Sequence, residues 1–541
     1  MRWVTGLAGL MLAVGGAAPA AAQPAPASVE RELEWLIERL QVSGSLTIAG
    51  ATVRASDVTL QVYERQAFAP LWSRKGDLAA LLRTVYTVYT DGLDPDLYHR
   101  AVLSSLWAAE LDPPRAAELD LLATDALLRL SQDLSFGRAQ PIDPTGLVNG
   151  DGPFGGGDPV ASLREVLASG GLEQRVAALR PSHFEYDRLR DGLSELRALQ
   201  RAGGWTPIPG GPTMQRGSPD LRIPLLRQRL AVSGDLPGEG QQLGEGLDET
   251  HFDTALEDAV KTFQHRHGLN EDGRVGNRTL AALNVPVERR IEQIRVNLER
   301  ARWVADAVPD TYVAVNVAGA RVYLIRSETV AFEARAVVGS DETQTPVFSA
   351  LLSYIDLNPT WTVPGGIVEE VLEAVRRDPL YLENQRMHVL DAEGRRVDAS
   401  TLDFRTFTPE TFPYVFYQEP GPRNPLGRLK LMFPNPYTVY LHDSPARSLF
   451  ALERRLFSHG CVRVEDPVGL AVEVLDEPAT WSREALEAAI AEGETRTIPL
   501  KRPLMVHVVY RTAEADADGA LHFYADVYQR DPGVLAALDA R

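Results

Sequence analysis

The stretch LFSHGCVRVEDP, residues 456 to 467, holds Cys461, the single cysteine of a 541-residue chain. A thiol becomes a catalytic nucleophile when a base or cation favours the thiolate, amides await the oxyanion, and the sulfur stays partly open. His442 closes the run YTVYLHD (437–443). Strand alternation puts Tyr440 and His442 on one face, so a histidine at the strand's end is placed to act as base. His459, two residues before the thiol, is a second candidate. Gly460 lets the backbone approach a carbonyl closely. The amides of Gly460 and Cys461, joined by that of His459, are the natural oxyanion donors. Arg463 could pair with a substrate carboxylate or brace the loop. Asp466-Pro467 reads as an N-cap and first helical residue. A helix start just after Cys461 is expected to lower the thiol pKa. The competing reading is an inert buried thiol, since cysteine is among the most buried residues. Residue types alone leave both open.

The surrounding chain has to position these groups. From Tyr312 onward it reads as strands. TYVAVNVAGARVYLIRS is a hairpin around Ala318-Gly319, TVAFEARAVVGS a strand ending at Gly339, and LLSYIDLNPTWTVP another. Residues 366–420 interrupt this pattern. IVEEVLEAVRRDPLYLENQ reads as helix, and the irregular remainder is rich in Pro, Phe and Tyr. This is an insertion where a lid could sit.

Upstream, residues 23–200 read mainly as helices, with loop signals at DGLDPDLYH and GDGPFGGGDP. A Gly/Pro-rich linker is expected at 201–219. Residues 220–285 form a small three-helix unit, with Leu221, Leu225, Leu226 and Leu230 on one side of its first helix and Phe252, Leu256, Ala259, Val260 and Phe263 on its second. His265 and His267 are read as solvated helix residues rather than metal ligands. Residues 286–310 contain one amphipathic connecting helix, 311–500 the β-rich domain, and 501–541 a segment packing on it. The fold class is multidomain α+β.

The chain carries 55 basic and 74 acidic residues, a net charge of −19, which leaves no electrostatic footprint for nucleic acid. Residues 1–22 combine Arg2, a short apolar run and small residues that end with Ala20 and Ala22 in an A-x-A arrangement, the pattern of an export signal. It is cleaved after Ala22, or retained as an anchor that keeps the chain peripheral to the inner membrane. In an oxidising compartment one unpaired thiol is either buried or useful.

The spacing from His442 to Arg463, H-x15-S-H-G-C-V-R, resembles the signature of the L,D-transpeptidases with a YkuD-type catalytic domain. His442, Ser458, His459, Gly460, Cys461 and Arg463 all match it. VVGSDETQTPVFS, NPTWTVP, NPLGRLK, YLHDSP and the C-terminal segment are similar to the large multidomain periplasmic (YcbB-like) members. AVKTFQHRHGL, Asp272-Gly273 and TLAALN resemble a peptidoglycan-binding domain. The resemblance implies a periplasmic enzyme whose Cys461 attacks the carbonyl before D-Ala in a tetrapeptide stem, with His442 as base and His459 supporting the loop. It implies a 3→3 cross-link through a thioester, Tyr440 and Trp361 lining the site, and Ser458 and Arg463 at the substrate. Its expected partners are peptidoglycan stem peptides and glycan, with carbapenem-type β-lactams as covalent inhibitors, and it calls for no metal or organic cofactor. The alternatives are an L,D-carboxypeptidase, attachment of a wall protein, and a catalytically inactive wall-binding scaffold.

Overall fold

The computed structural model describes residues 28–139, parts of 158–167, 171–238, 249–303 and 309–540. The expected export segment, the tether after it and most of the Gly150–Pro159 loop lie outside these residues. No described helix is long and apolar enough to cross a membrane. The chain divides into two compact units, Met1–Lys75 with Ala101–Asp125, and Gly76–Arg100 with Ala126–Arg541.

In the first unit, helix Val29–Ser43 leads through the hairpin β1 (Ser45–Ile48) and β2 (Ala51–Arg54) to helix Asp57–Arg65. Ser28 and Ser56 cap these helices by accepting from Arg31 N and Thr59 N. The buried Tyr63 hydroxyl donates to Asp120 Oδ1 at 2.8 Å, and Asp120 Oδ2 accepts from Trp72 N at 2.9 Å.

The second unit contains the three-helix bundle, Ile223–Val232, Thr254–Arg266 and Asn277–Leu283, closed on Leu226, Leu230, Phe252, Val260 and Phe263. Three expectations change here. Leu221 precedes the first helix and is 88% exposed, so it is no part of the apolar stripe. Ile208 and Met214, inside the expected linker, are buried in the bundle core, because Asn284 exchanges two 2.8 Å hydrogen bonds with the Ile208 backbone and pins that segment down. His267 is buried rather than solvated: it stacks on Phe263 at 3.8 Å and its Nδ1 lies 2.8 Å from Phe263 O. The connecting helix, Val287–Arg302, is amphipathic only in its first half, where Glu288 and Arg289 are exposed; every residue from Val296 to Arg302 is buried. It lies among helix Phe184–Arg201, helix Asp531–Asp539 and the C-terminal strand Ala513–Ala515. Its Arg302 and Glu299 are therefore buried and ion-paired at 2.6 Å.

The β-rich domain is built from β3 (Thr311–Asn316), β4 (Arg321–Arg326), β5 (Thr329–Gly339), β6 (Phe348–Leu357), β7 (Trp361–Thr362), β8 (Met387–Leu390), β9 (Arg396–Val397), β10 (Val415–Gln418), β11 (Leu429–Met432), β12 (Leu441–His442), β13 (Leu456–Ser458), β14 (Val462–Val464) and β15 (Arg496–Val509). Nine strands form one sheet in the order β13-β5-β14-β12-β11-β6-β15-β3-β4, and β5 also pairs with β4, so the sheet closes on itself. Its interior is packed with Val, Leu and Ile, including Val315, Leu324, Leu352, Ile355, Leu431, Val462 and Val508. The first residues of the segment expected to pack on the domain from residue 501 are instead part of its sheet, while Tyr510, Tyr524 and Tyr528 beyond them do pack on its core. β15 crosses that boundary and lies between β6 and β3, antiparallel to one and parallel to the other.

The insertion has its own four-stranded sheet, β7-β10-β8-β9, and its own core of Val363, Val371, Leu372, Val375, Met387 and Phe416. It begins at Trp361, earlier than the expected 366. The expected long helix stops at Arg377 and resumes only over Tyr381–Asn384. Asp378-Pro379 accounts for the break, since proline removes a donor and restricts the residue before it.

Candidate active site

Strand register brings the nominated residues onto one face. β12 and β14 run parallel, with Leu441 opposite Val462 and His442 opposite Arg463. Val462 N donates to Tyr440 O at 3.1 Å, which extends the pairing by a step. Side chains two apart share a face, so Tyr440, His442, Cys461 and Arg463 all point the same way. β11 adds Lys430, directly opposite His442, and β6 adds Asp356, opposite Lys430.

Only Leu441 and His442 of the YTVYLHD run are strand. Asn435 binds the backbone ahead of them, donating to Phe433 O and Val439 O at 2.6 and 2.7 Å and accepting from Tyr437 N and Val439 N. Thr438 then takes a left-handed φ of 55°. Local side-chain bonding has displaced the ladder that alternation predicted. The result serves the thiol: Cys461 Sγ donates to Thr438 O at 3.7 Å.

The half-buried Cys461 is pulled two ways. Burial pushes its pKa up, while hydrogen bonds from the Tyr440 backbone and side chain and the charges of Lys430 and Arg463 oppose that rise. The helix expected to activate it does form over Pro467–Leu475, capped by Asp466, whose Oδ1 accepts from Gly469 N at 3.0 Å. However, five residues, Val462–Asp466, intervene between Cys461 and that helix start, and the three of them in β14 alone span roughly 10 Å. Helix-end effects fade within a turn, so the helix cannot be the source of activation.

His442 is buried, and its Nδ1 lies 2.6 Å from Asp443 O. A carbonyl only accepts, so in the neutral ring Nδ1 carries the proton and Nε2 the lone pair. Burial, then Arg463 and Lys430, lower its pKa to about 3, against the opposing pull of the Asp443 and Leu426 carbonyls. The resting pair is therefore a neutral imidazole and a neutral thiol. There is no direct Cys461–His442 hydrogen bond among the described residues. Catalytic hydrogen bonds of this kind commonly tighten only with substrate in place. The Tyr440 ring meets the His442 ring at 5.6 Å. Its hydroxyl bonds to the side chains of Cys461 and Trp361, and burial raises its pKa.

Two nominated roles change. Gly460 N donates to Ser458 Oγ at 3.2 Å, so that amide is occupied and not a free oxyanion donor. The Cys461 amide has no acceptor among the described residues. Ser458 is buried, and its hydroxyl donates to Cys461 O at 2.5 Å, so it ties the loop together instead of facing substrate. Gly460 has φ 108°, which explains a glycine there.

Other supports escaped the sequence reading. Thr345 Oγ1 donates to Gly460 O at 2.8 Å, Thr343 Oγ1 to Ser458 O at 2.9 Å, and the Tyr528 hydroxyl to Gly339 O at 2.7 Å. The one signal for them was their place in VVGSDETQTPVFS and in the C-terminal segment. His459 is exposed and turned outward, its Nε2 lying 2.6 Å from Glu370 Oε1 on the insertion's helix Val368–Arg377. It does not approach the sulfur as a base. A gating role for the insertion predicts that Glu370→Gln speeds alkylation of Cys461 by iodoacetamide about two- to fivefold, the range of an exposed polar contact. An unchanged rate, followed by mass spectrometry, would rule that contact out as a latch.

Among the described residues no group of three or more His, Cys, Asp or Glu could hold a metal ion. A family model described as "L,D-transpeptidase catalytic domain" matches residues 310–480. Residues 310–480 belong to the L,D-transpeptidase catalytic-domain family. Further models match 57–193, a "Scaffold domain", and 222–283, a "Putative peptidoglycan binding domain". The chain is 30% identical over 243 residues to a curated Haemophilus influenzae protein named "Putative L,D-transpeptidase", covering 44% of this chain and 48% of that one. It thus spans about half the length of that relative. Among solved structures, an L,D-transpeptidase from Xylanimonas cellulosilytica is 16% identical, covers 56% of this chain and 99% of its own, and superposes with a TM-score of 0.19. One from Stackebrandtia nassauensis is 14% identical, with 56% and 97% coverage and a TM-score of 0.23.

Proposed function

We propose that this protein is an exported L,D-transpeptidase that forms 3→3 cross-links in peptidoglycan through a Cys461 thioester. The observation that carries this reading is the shared face of Cys461, Tyr440, His442 and Arg463, set by the β12–β14 register within an L,D-transpeptidase catalytic domain. In the forward step the thiol proton passes to His442 Nε2 and the sulfur attacks the carbonyl preceding D-Ala. The Cys461 amide receives the developing oxyanion. The C–N bond then breaks, His442 returns the proton to the leaving amine, and D-Ala departs. The side-chain amine of a neighbouring stem attacks the thioester, the C–S bond breaks, and His442 passes the amine's proton to the departing sulfur, restoring the thiol. The neutral state of His442 suits its first task, because an imidazole already protonated could not accept the thiol proton.

Arg463 has no ion-pair partner among the described residues, and its buried Nε has no hydrogen-bond acceptor, consistent with holding a substrate carboxylate. The three-helix bundle would keep the catalytic domain on the wall, and a carbapenem-type β-lactam would acylate the same sulfur. The N-terminal sequence supports export to the periplasm. The test is incubation of purified protein with tetrapeptide-bearing muropeptides, followed by mass spectrometry. Cross-linked dimers with D-Ala release are expected. Tripeptides alone would mean hydrolysis by water, and no acyl-enzyme with either muropeptide or carbapenem would overturn the nucleophile reading and favour a wall-binding scaffold.

A further inference from the structure

Burial raises the Cys461 pKa and the nearby helix is too distant to counter it, so the site needs another source of positive potential. Two cations on the same sheet face provide it. Arg463 stands opposite His442 on β14 and Lys430 stands opposite His442 on β11, so the imidazole lies between a guanidinium and an ammonium. Lys430 Nζ sits 4.0 Å over the centroid of the Tyr440 ring, whose hydroxyl is bonded to Cys461. Neither cation has a carboxylate within ion-pair distance among the described residues. Asp356, the cross-strand neighbour of Lys430, is engaged elsewhere, accepting from Thr497 Oγ1 at 2.6 Å.

A partly buried lysine is normally paired. Lys430 is held over an aromatic ring beside the nucleophile; burial lowers its pKa, while Asp356, beyond ion-pair distance, and Cys461 favour its charged form. We infer that Lys430 is a positioning residue for the reaction at Cys461, its ammonium supporting the thiolate while keeping His442 unprotonated. One charge does both because a cation favours loss of a proton from either neighbour. The role rests on Cys461 being the nucleophile, but not on what it acylates. The groups facing this pocket of charge are Asp356 on β6, Tyr440 and His442 at β12, Cys461 and Arg463 at β14, and the Trp361 indole on β7. Burial holds Tyr440 protonated, so the test follows Cys461 and His442.

The test is the pH dependence of Cys461 alkylation by iodoacetamide in wild type, Lys430→Met and Lys430→Arg, alongside the pH profile of turnover. In K430M the alkylation rate near neutral pH should fall on the order of three- to tenfold, with the whole profile displaced to higher pH. The acid limb of turnover, which reports His442, should also move to higher pH. K430R should restore both. A purely structural lysine would lower the rate without moving either limb. Coincident wild-type and K430M alkylation profiles would overturn the inference, as would failure of K430R to restore the profile while remaining folded. Since alkylation needs no substrate, failure of the transpeptidase reading shows separately, as absence of muropeptide acylation.

Discussion

Cys461→Ala should eliminate acylation by tetrapeptide muropeptides and by carbapenem, reducing turnover by at least about a thousandfold, the scale of losing a nucleophile. The fold should survive. Cys461 is half-buried, and its side chain contacts Thr438 O and the Tyr440 hydroxyl without sealing a core. The loop geometry is carried by other atoms, chiefly Ser458 Oγ to Cys461 O and Thr345 Oγ1 to Gly460 O, which alanine leaves in place. A melting temperature within about 3 °C of wild type is expected for such a change. Intact-mass measurement after carbapenem treatment reads the outcome directly. A carbapenem adduct on C461A would place the reactive group elsewhere, because no other cysteine exists to replace it.

The parts of this site legible in the sequence are those that depend on near neighbours in the chain. The strand ending at Gly339 and the β3–β4 hairpin were readable because two-residue alternation is local. So was the cap at Asp466. Activation by the helix start was a local inference that failed, because adjacency in sequence concealed three residues of strand between thiol and helix. Lys430 was unreadable for the opposite reason. Its relation to His442 exists only through the β11–β12 register, and register depends on distant pairings. The amide of Gly460 looked available because a motif records residue order and not which hydroxyl will fold back onto it. His267 and Met214 were misplaced for a similar reason: polarity and a Gly/Pro-rich context predict exposure, but the core of the small bundle recruits both. Even Trp361, assigned to the site by resemblance, proves to be in a strand of the insertion that reaches Tyr440.

His442→Gln should lower turnover by about a hundred- to ten-thousandfold, the usual contribution of a general base, while leaving Cys461 open to alkylation at high pH. Glutamine can still donate to Asp443 O, so the β12 end stays anchored, but it cannot take the thiol proton. The substitution has a second, independent signature. His442 has a pKa of about 3 in the folded chain because burial and Arg463 disfavour the charged ring. An unfolded histidine titrates near 6.5. Between these values the unfolded state binds the additional proton, so the stability associated with a neutral His442 is complete above about pH 6.5 and is lost progressively as pH falls toward 3. Its full size is a few kcal/mol by order of magnitude. H442Q removes that term, so its denaturation midpoint should decline less between pH 6.5 and 4 than that of wild type. It will not become flat, since His183 and His507 are also buried with pKa values lowered to about 4. A base that works by being buried and neutral thus makes the fold acid-sensitive. An H442Q variant that lost turnover but kept the full acid sensitivity would show that His442 is not buried as a neutral ring, and its role as base would have to be reassigned.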